Sequence, residues 1–285
     1  MSVEMQSLKL LNLSYCSKIG SFPKFTGIMK SLLELNLRGT DIKKVAPSSI
    51  ECLTALTLLD LSFCFNLECL PSNMDNLRSL ETLNLSWCGQ LVEIHPSIGQ
   101  LSKLRCLDLR YCESLTDLPS MFAEMQSLTV LDLDGCSKLN SFPKFTEVMK
   151  SLSELYLGGT AIKKVALSSI DRLIALTLLD LSECGNLECL PRMDNLRSLE
   201  ALDFSGSSKL KSLQRLPSTV KYINIEGCSS LEPSPAQIKL SIWSQPLSQW
   251  LPYDHERGSQ MAFTILLYFL QVISSLSLEL LNNNS

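Results

Sequence analysis

Apolar residues recur along this chain at a fixed interval. The pattern Leu-x-x-Leu-x-Leu-x-x-Cys begins at Leu8, with Leu11, Leu13 and Cys16 in its later slots. It returns at Leu32, Leu56, Leu80, Leu104, Leu128, Leu152 and Leu176, each step being 24 residues. Steps of 23 and 21 residues lead to looser turns at Leu199 and Val220, making ten turns between residue 7 and about residue 232. Within Leu-x-Leu the two leucines point to one side of a short strand and the residue between them to the other. One such strand cannot bury its apolar side alone, whereas ten stacked turns build a continuous core and a parallel sheet.

The later apolar positions of each turn, as in Leu67-x-x-Leu70-Pro71 and Leu115-x-x-Leu118-Pro119, bring the chain back across that core. Proline lacks an N–H and fixes φ, which suits a return segment outside the sheet. The predicted architecture is an α/β leucine-rich-repeat solenoid: curved, about ten repeats of 24 residues, its parallel β-sheet on the concave face. A longer period overlies the short one. Residues 6–71 and 126–191 align without a gap at an offset of 120, and 47 of 66 positions are identical. Since 120 is five times 24, a five-turn block has been duplicated in register, which leaves the stack intact.

Composition narrows the function. Leucine supplies 58 of 285 residues, most of them absorbed by the ten turns. The net charge of −4 provides no basic face to offset phosphate, so no nucleic-acid partner is expected. With only His95 and His255, no CxxC pair, no phosphate loop and no identifiable nucleophile–base pair, neither a metal site, nor a cofactor, nor catalysis is expected. His95-Pro96 reads as a loop, and Lys43-Lys44 and Lys163-Lys164 as solvated charge. Of eleven cysteines, seven (Cys16, Cys64, Cys88, Cys112, Cys136, Cys184 and Cys228) share one slot just past the strand. A small, inward, weakly hydrogen-bonding residue is expected there, with Cys88, Cys112 and Cys136 forming a buried thiol ladder; a redox or metal ladder is the competing reading. The first residues carry no basic region followed by an apolar run, so a reducing compartment is expected, the cytoplasm with the nucleus as a second location.

The connecting residues carry a resemblance. The units LxxLxLxxCxxLxxLP, the segments Leu37–Ile50 and Leu157–Ile170 with their GT-x-I-x-x-V core, and MDNLRSLETLNLS at 74–86 look like one group. They resemble the repeat domain of plant TIR-type nucleotide-binding leucine-rich-repeat immune receptors, over about residues 5–232. The resemblance implies an intracellular recognition module that binds a pathogen effector or a guarded host protein. In a full receptor it implies a further contact with the receptor's own nucleotide-binding domain that holds it inactive. The chain carries no GxxxxGK[ST] motif and starts within a repeat, so it reads as a truncated receptor or a fragment, and nucleotide switching is not assigned to it. A constitutive scaffold or substrate adaptor without an immune role is the alternative.

Function is therefore sought on the strand face. The position between the strand leucines reads Asn12, Asn36, Asp60, Asn84, Asp108, Asp132, Tyr156, Asp180, Asp203 and Asn224, a polar stripe expected to solubilise the sheet, with mild repulsion between Asp108 and Asp132. The second position after the strand reads Tyr15, Gly39, Phe63, Trp87 and Tyr111, then Gly135, Gly159, Glu183, Gly206 and Gly227. Arg38 and Arg110 lie one position earlier. Tyr15, Arg38, Phe63, Trp87, Arg110 and Tyr111 are thus candidates for a partner-binding patch on turns one to five, because aromatic and Arg side chains are enriched at interface hot spots. In the other reading these rings fold over the neighbouring turn and cover the thiols.

The period ends after Leu231. Residues 1–232 are assigned to the solenoid, 233–260 to a Pro-rich junction and 261–285 to a hydrophobic tail. Residues 261–281 are long enough to span a bilayer, although Gln271, Glu279 and several serines oppose insertion. A tail anchor, a helix capping the last repeat, and the opening of a further β-rich domain are the three readings of that segment.

Overall fold

The computed structural model describes residues 7–25, 27–119, 125–213 and 216–232. Ten three-residue strands, from β1 (Leu10–Asn12) to β10 (Tyr222–Asn224), pair in chain order as one parallel sheet. The register repeats turn by turn: Leu11 faces Leu35, Leu35 faces Leu59, and so on to Leu179, Leu202 and Ile223. The shorter steps of turns nine and ten are taken up in the returns, so the ladder never slips. A one-residue slip would turn the leucines outward, and that cost holds the register.

The core runs the length of the stack. Leu35, Leu59, Leu83, Leu107, Leu131, Leu155, Leu179 and Leu202 are each 0% exposed. Behind them the described residues make only short helical turns: α1 (Pro47–Ile50), α2 (Leu167–Ile170) and two 3-10 helices at Met74–Asn76 and Pro96–Gln100. Among the described residues the helical part is therefore slight. The returns also pair where the Leu-Pro pattern predicts a non-sheet segment: isolated parallel bridges join Lys44, Cys69 and Glu93, and again Lys164, Cys189 and Ser212. At Cys69 and Cys189 the bridge falls one residue before Leu70-Pro71 and Leu190-Pro191, so there the pairing stops short of the proline. His95 caps the 3-10 helix, its Nδ1 accepting from the Ser97 N–H at 3.1 Å.

The cysteine slot explains itself in the same terms. The Sγ atoms of Cys64, Cys88, Cys112, Cys136 and Cys184 donate to the carbonyls of Leu37, Leu61, Leu85, Leu109 and Leu157, one turn back, at 3.2–3.3 Å. Thr40 and Ser207 fill the slot with hydroxyl donors, to Leu37 and Leu181. The thiol thus satisfies a carbonyl between two strands without demanding the stronger partners a charged group would need. None of the eleven cysteines is in a disulfide. Burial raises these thiol pKa values, to about 12 for Cys136 and about 11 for Cys184. A thiol held neutral is neither nucleophile nor ligand. The inward expectation fails for Cys16, which is exposed. Cys228, on the last turn described, is half-buried.

Residues 233–260 and 261–285, and with them all three readings of the tail, lie outside the described residues. Among the described residues no helix is long and apolar enough to cross a membrane.

Candidate recognition surface

Each strand ends in a turn built by its own side chain. The Oδ1 of Asp60 accepts the N–H of Ser62 at 2.8 Å, and Asn36, Asn84, Asp108, Asp180 and Asp203 accept from the residue two positions on in the same way. The polar stripe is therefore a run of Asx turns rather than a merely solubilising face. Tyr156 has no such acceptor, and there Asp134 reaches across from the previous turn to take the Gly158 N–H at 2.8 Å. The repulsion expected between Asp108 and Asp132 is relieved by Arg110, which lies 2.6 Å from one and 3.5 Å from the other.

The residue that follows lies in the left-handed region in all ten turns, after an Asx turn in nine of them and after the Asp134-capped turn at Gly158 in the other. There its N–H donates onward to the neighbouring turn, as from Phe63 to the Ser86 carbonyl at 2.8 Å. Glycine occupies five of these positions; Tyr15, Phe63, Trp87, Tyr111 and Glu183 occupy the others, at φ of 59°, 59°, 64°, 55° and 53°. For an L-residue that conformation costs about 1–2 kcal/mol. Four aromatic residues thus hold a backbone position that glycine fills without strain.

The rings form one stack. Phe63 and Trp87 are 5.8 Å apart at 13° between planes, and Trp87 and Tyr111 are 4.1 Å apart at 20°. Arg38 closes the other face of the stack, its guanidinium carbon 4.3 Å from the Phe63 centroid, and its Nε donates to the Tyr15 hydroxyl at 2.7 Å. At the far end Tyr111 lies over Gly135, where an added Cβ would come within 2.4 Å of the ring. Burial, then the Asp134 carboxylate, raise the Tyr111 pKa.

The structure brings all six candidate residues together but does not give them equal exposure. Tyr15 is 59% exposed, and Arg38, Trp87 and Tyr111 are half-buried. Phe63 is buried at 9%, between Arg38 and Trp87, so it supports the stack instead of offering its own surface. The Arg110 side chain is 25% exposed and held by two carboxylates. Burial opposes its charge, but the hydrogen bonds to Asp108 and the nearby carboxylates outweigh that and raise its pKa. Arg110 is committed inside the fold. The sequence reading missed Phe65, which is 51% exposed and meets Phe63 edge to face at 6.0 Å. Its signal was present: Phe65 becomes Gly185 in the duplicate, the same kind of change as Phe63 to Glu183. The rings lean on the next turn, and Tyr15 and Phe65 remain exposed while Trp87 and Tyr111 are half-buried.

No family model matches the chain. It is 41% identical over 71 residues to the protein SUPPRESSOR OF npr1-1, CONSTITUTIVE 1 of Arabidopsis thaliana, covering 25% of this chain and 5% of that protein. It is 42% identical over 52 residues to the Arabidopsis thaliana disease resistance protein RRS1B, covering 18% and 4%. With RPS6, another disease resistance protein of Arabidopsis thaliana, it shares 42% over 67 residues, covering 24% and 6%. The matched stretches are thus a small fraction of these relatives' length. Among solved structures, the leucine-rich repeat domain of the type III effector XopL superposes with a TM-score of 0.61 at 23% identity, over 68% of this chain and 69% of that one. A chain of the Drosophila Toll–Spätzle complex gives 0.55 at 19%, over 77% and 31%. At such identity these two speak to the fold alone. The chain is a leucine-rich-repeat solenoid, and short stretches of its repeats are similar to plant disease-resistance proteins.

Proposed function

We propose that this chain is the protein-recognition module of an intracellular plant immune receptor, and that turns one to five bind a pathogen effector or a guarded host protein. The reading is carried by one observation: Tyr15, Phe63, Trp87 and Tyr111 keep a left-handed backbone that glycine adopts in five other turns. Strain of about 1–2 kcal/mol per residue persists where something else requires the side chain. Stacking returns part of that cost, but it does not call for the exposed Tyr15 and Phe65. In a complete receptor the same face would also touch the nucleotide-binding part and help hold it inactive, with partner binding shifting that equilibrium. The kinship with disease-resistance proteins supports this extension.

Quantitative affinity capture from plant-cell extract tests the proposal. The wild-type chain and a Glu183→Ala control should retain the same partner, while Trp87→Ala/Tyr111→Ala loses it and melts within a few degrees of wild type. An unchanged set of captured proteins with the double variant would sink it.

A further inference from the structure

We propose that the aromatic stack recognises an acidic protein segment: one that sets a carboxylate against Arg38 and an apolar side chain against the exposed edge formed by Phe65 and Trp87. This rests on the recognition reading above and specifies the chemistry of its partner.

The first argument concerns which parts of the rings remain available. Phe63 has Arg38 on one face and Trp87 on the other. Trp87 gives its second face to Tyr111, and Tyr111 lies over the Gly135 backbone. The ring faces, which carry the negative lobes of the quadrupole and attract cations, are taken inside the stack. What Phe63, Trp87 and Tyr111 offer the surface is edges, the positive part of each ring. Edges favour oxygen acceptors, so this is not a cage for a partner's ammonium group.

The second argument concerns charge. Arg38 and Arg110 occupy the same slot three turns apart. Arg110 is matched by Asp108 and Asp132. Arg38 has no ion pair among the described residues: its contacts are the Tyr15 hydroxyl, a long one to Ser62 Oγ at 3.5 Å, and the Phe63 and Tyr15 rings. It is half-buried, fixed in direction by Tyr15, and backed by an apolar ring. A guanidinium so placed discriminates for carboxylate better than a mobile lysine does.

The third argument fixes the register. Beyond Tyr111 the same face carries Asp134 and the exposed Glu183, which repel an acidic segment. The favourable stretch is confined to turns one to four, with the carboxylate over Arg38 and the apolar residue toward Trp87.

Selection of phage-displayed random peptides on the full chain, followed by affinity measurement of the winning synthetic peptides, tests this. Enrichment of Asp or Glu beside an aromatic or aliphatic residue is expected. Arg38→Glu should weaken those peptides at least about tenfold, as for loss of a charge-assisted contact worth roughly 1.5–3 kcal/mol. Replacing the peptide's acidic residue with Lys should restore binding to Arg38→Glu. Arg38→Gln, which keeps a donor for Tyr15, should show the loss without the reversal, and thermal melts check that both variants fold. Peptides that depend on Trp87 and Tyr111 but tolerate Arg38→Glu, or that are enriched in basic residues, would overturn the acidic-partner inference and leave the recognition reading standing. If the winning peptides ignore Trp87 and Arg38 alike, or none is selected, both readings fall.

Discussion

Two stretches of this molecule, residues 6–71 and 126–191, are copies of one sequence, and they have kept different things. The fully buried core is kept: Leu35 and Leu155, Ile42 and Ile162, Leu59 and Leu179, Cys64 and Cys184 are pairs with 0% exposure on both sides. On the strand face and the loop after it the copies have diverged at several positions. Tyr15, Leu33, Arg38, Phe63 and Phe65 in the first copy stand against Gly135, Ser153, Gly158, Glu183 and Gly185 in the second. Packing explains the first set, because each leucine touches the turns before and after it. It does not explain the second, since both versions support the same ten-stranded ladder. The second copy serves as an internal control for what the fold requires, and the fold does not require Tyr15, Phe63 or Phe65 at these positions.

The comparison predicts its largest effect where the copies agree. Leu59→Ala and Leu179→Ala should each lower unfolding free energy by about 2–5 kcal/mol, read by urea denaturation, and by similar amounts. A large gap between the two would break the claim that the cores are equivalent. Next comes the slot where they differ. Phe63→Gly removes a buried hub and relieves the left-handed backbone, for a net loss of roughly 2 kcal/mol. Glu183→Gly relieves the same backbone and removes no packed ring, so it should be neutral or stabilising by up to about 1 kcal/mol. Opposite signs in thermal melts would sharpen the contrast, and equal losses would erase it.

Smaller effects follow from the turn chemistry and the thiols. Asp134→Ala leaves the Gly158 N–H without its acceptor and should cost about 1 kcal/mol, comparable to Asp180→Ala in an ordinary Asx turn. The buried thiols have folded-state pKa values above their unfolded ones, so the folded chain holds protons that the unfolded chain has lost. Their contribution to stability is present in full below the ordinary thiol value of about 9 and declines as pH rises, through about 11 for Cys184 and about 12 for Cys136. Denaturation midpoints should therefore fall progressively above pH 9, less so in Cys136→Ala. Iodoacetamide at neutral pH should label exposed Cys16 and Cys189 before any of the ladder.

The repeat was legible because a period of 24 is redundant: each turn restates the position of every inward residue. The strands fall where Leu-x-Leu places them, and even the two short steps kept register. The face was legible only as a column of residue types. Nothing in the identity of Phe63 separates a buried hub from an exposed anchor, and the local difference between Arg110 and Arg38 is confined to Asp108 against Asn36, two residues earlier. The Asp132 contact and the ring stack depend on neighbours 22 to 25 residues away in sequence, set side by side by stacking. Phe65 was missed because it follows the cysteine slot, outside the positions that a strand-face count includes.

Apolar burial at fixed spacing has one economical solution, so the solenoid, its ten-turn register, the inward thiols of the interior turns and the duplication can all be read along the chain. That the polar stripe caps the strands, that each following residue is left-handed, and that Phe63, Trp87 and Tyr111 stack face to face emerges only in the folded molecule. Those outcomes arise from contacts between successive turns, and a side chain's partners across a turn are set by the stack, not by its place in the repeat.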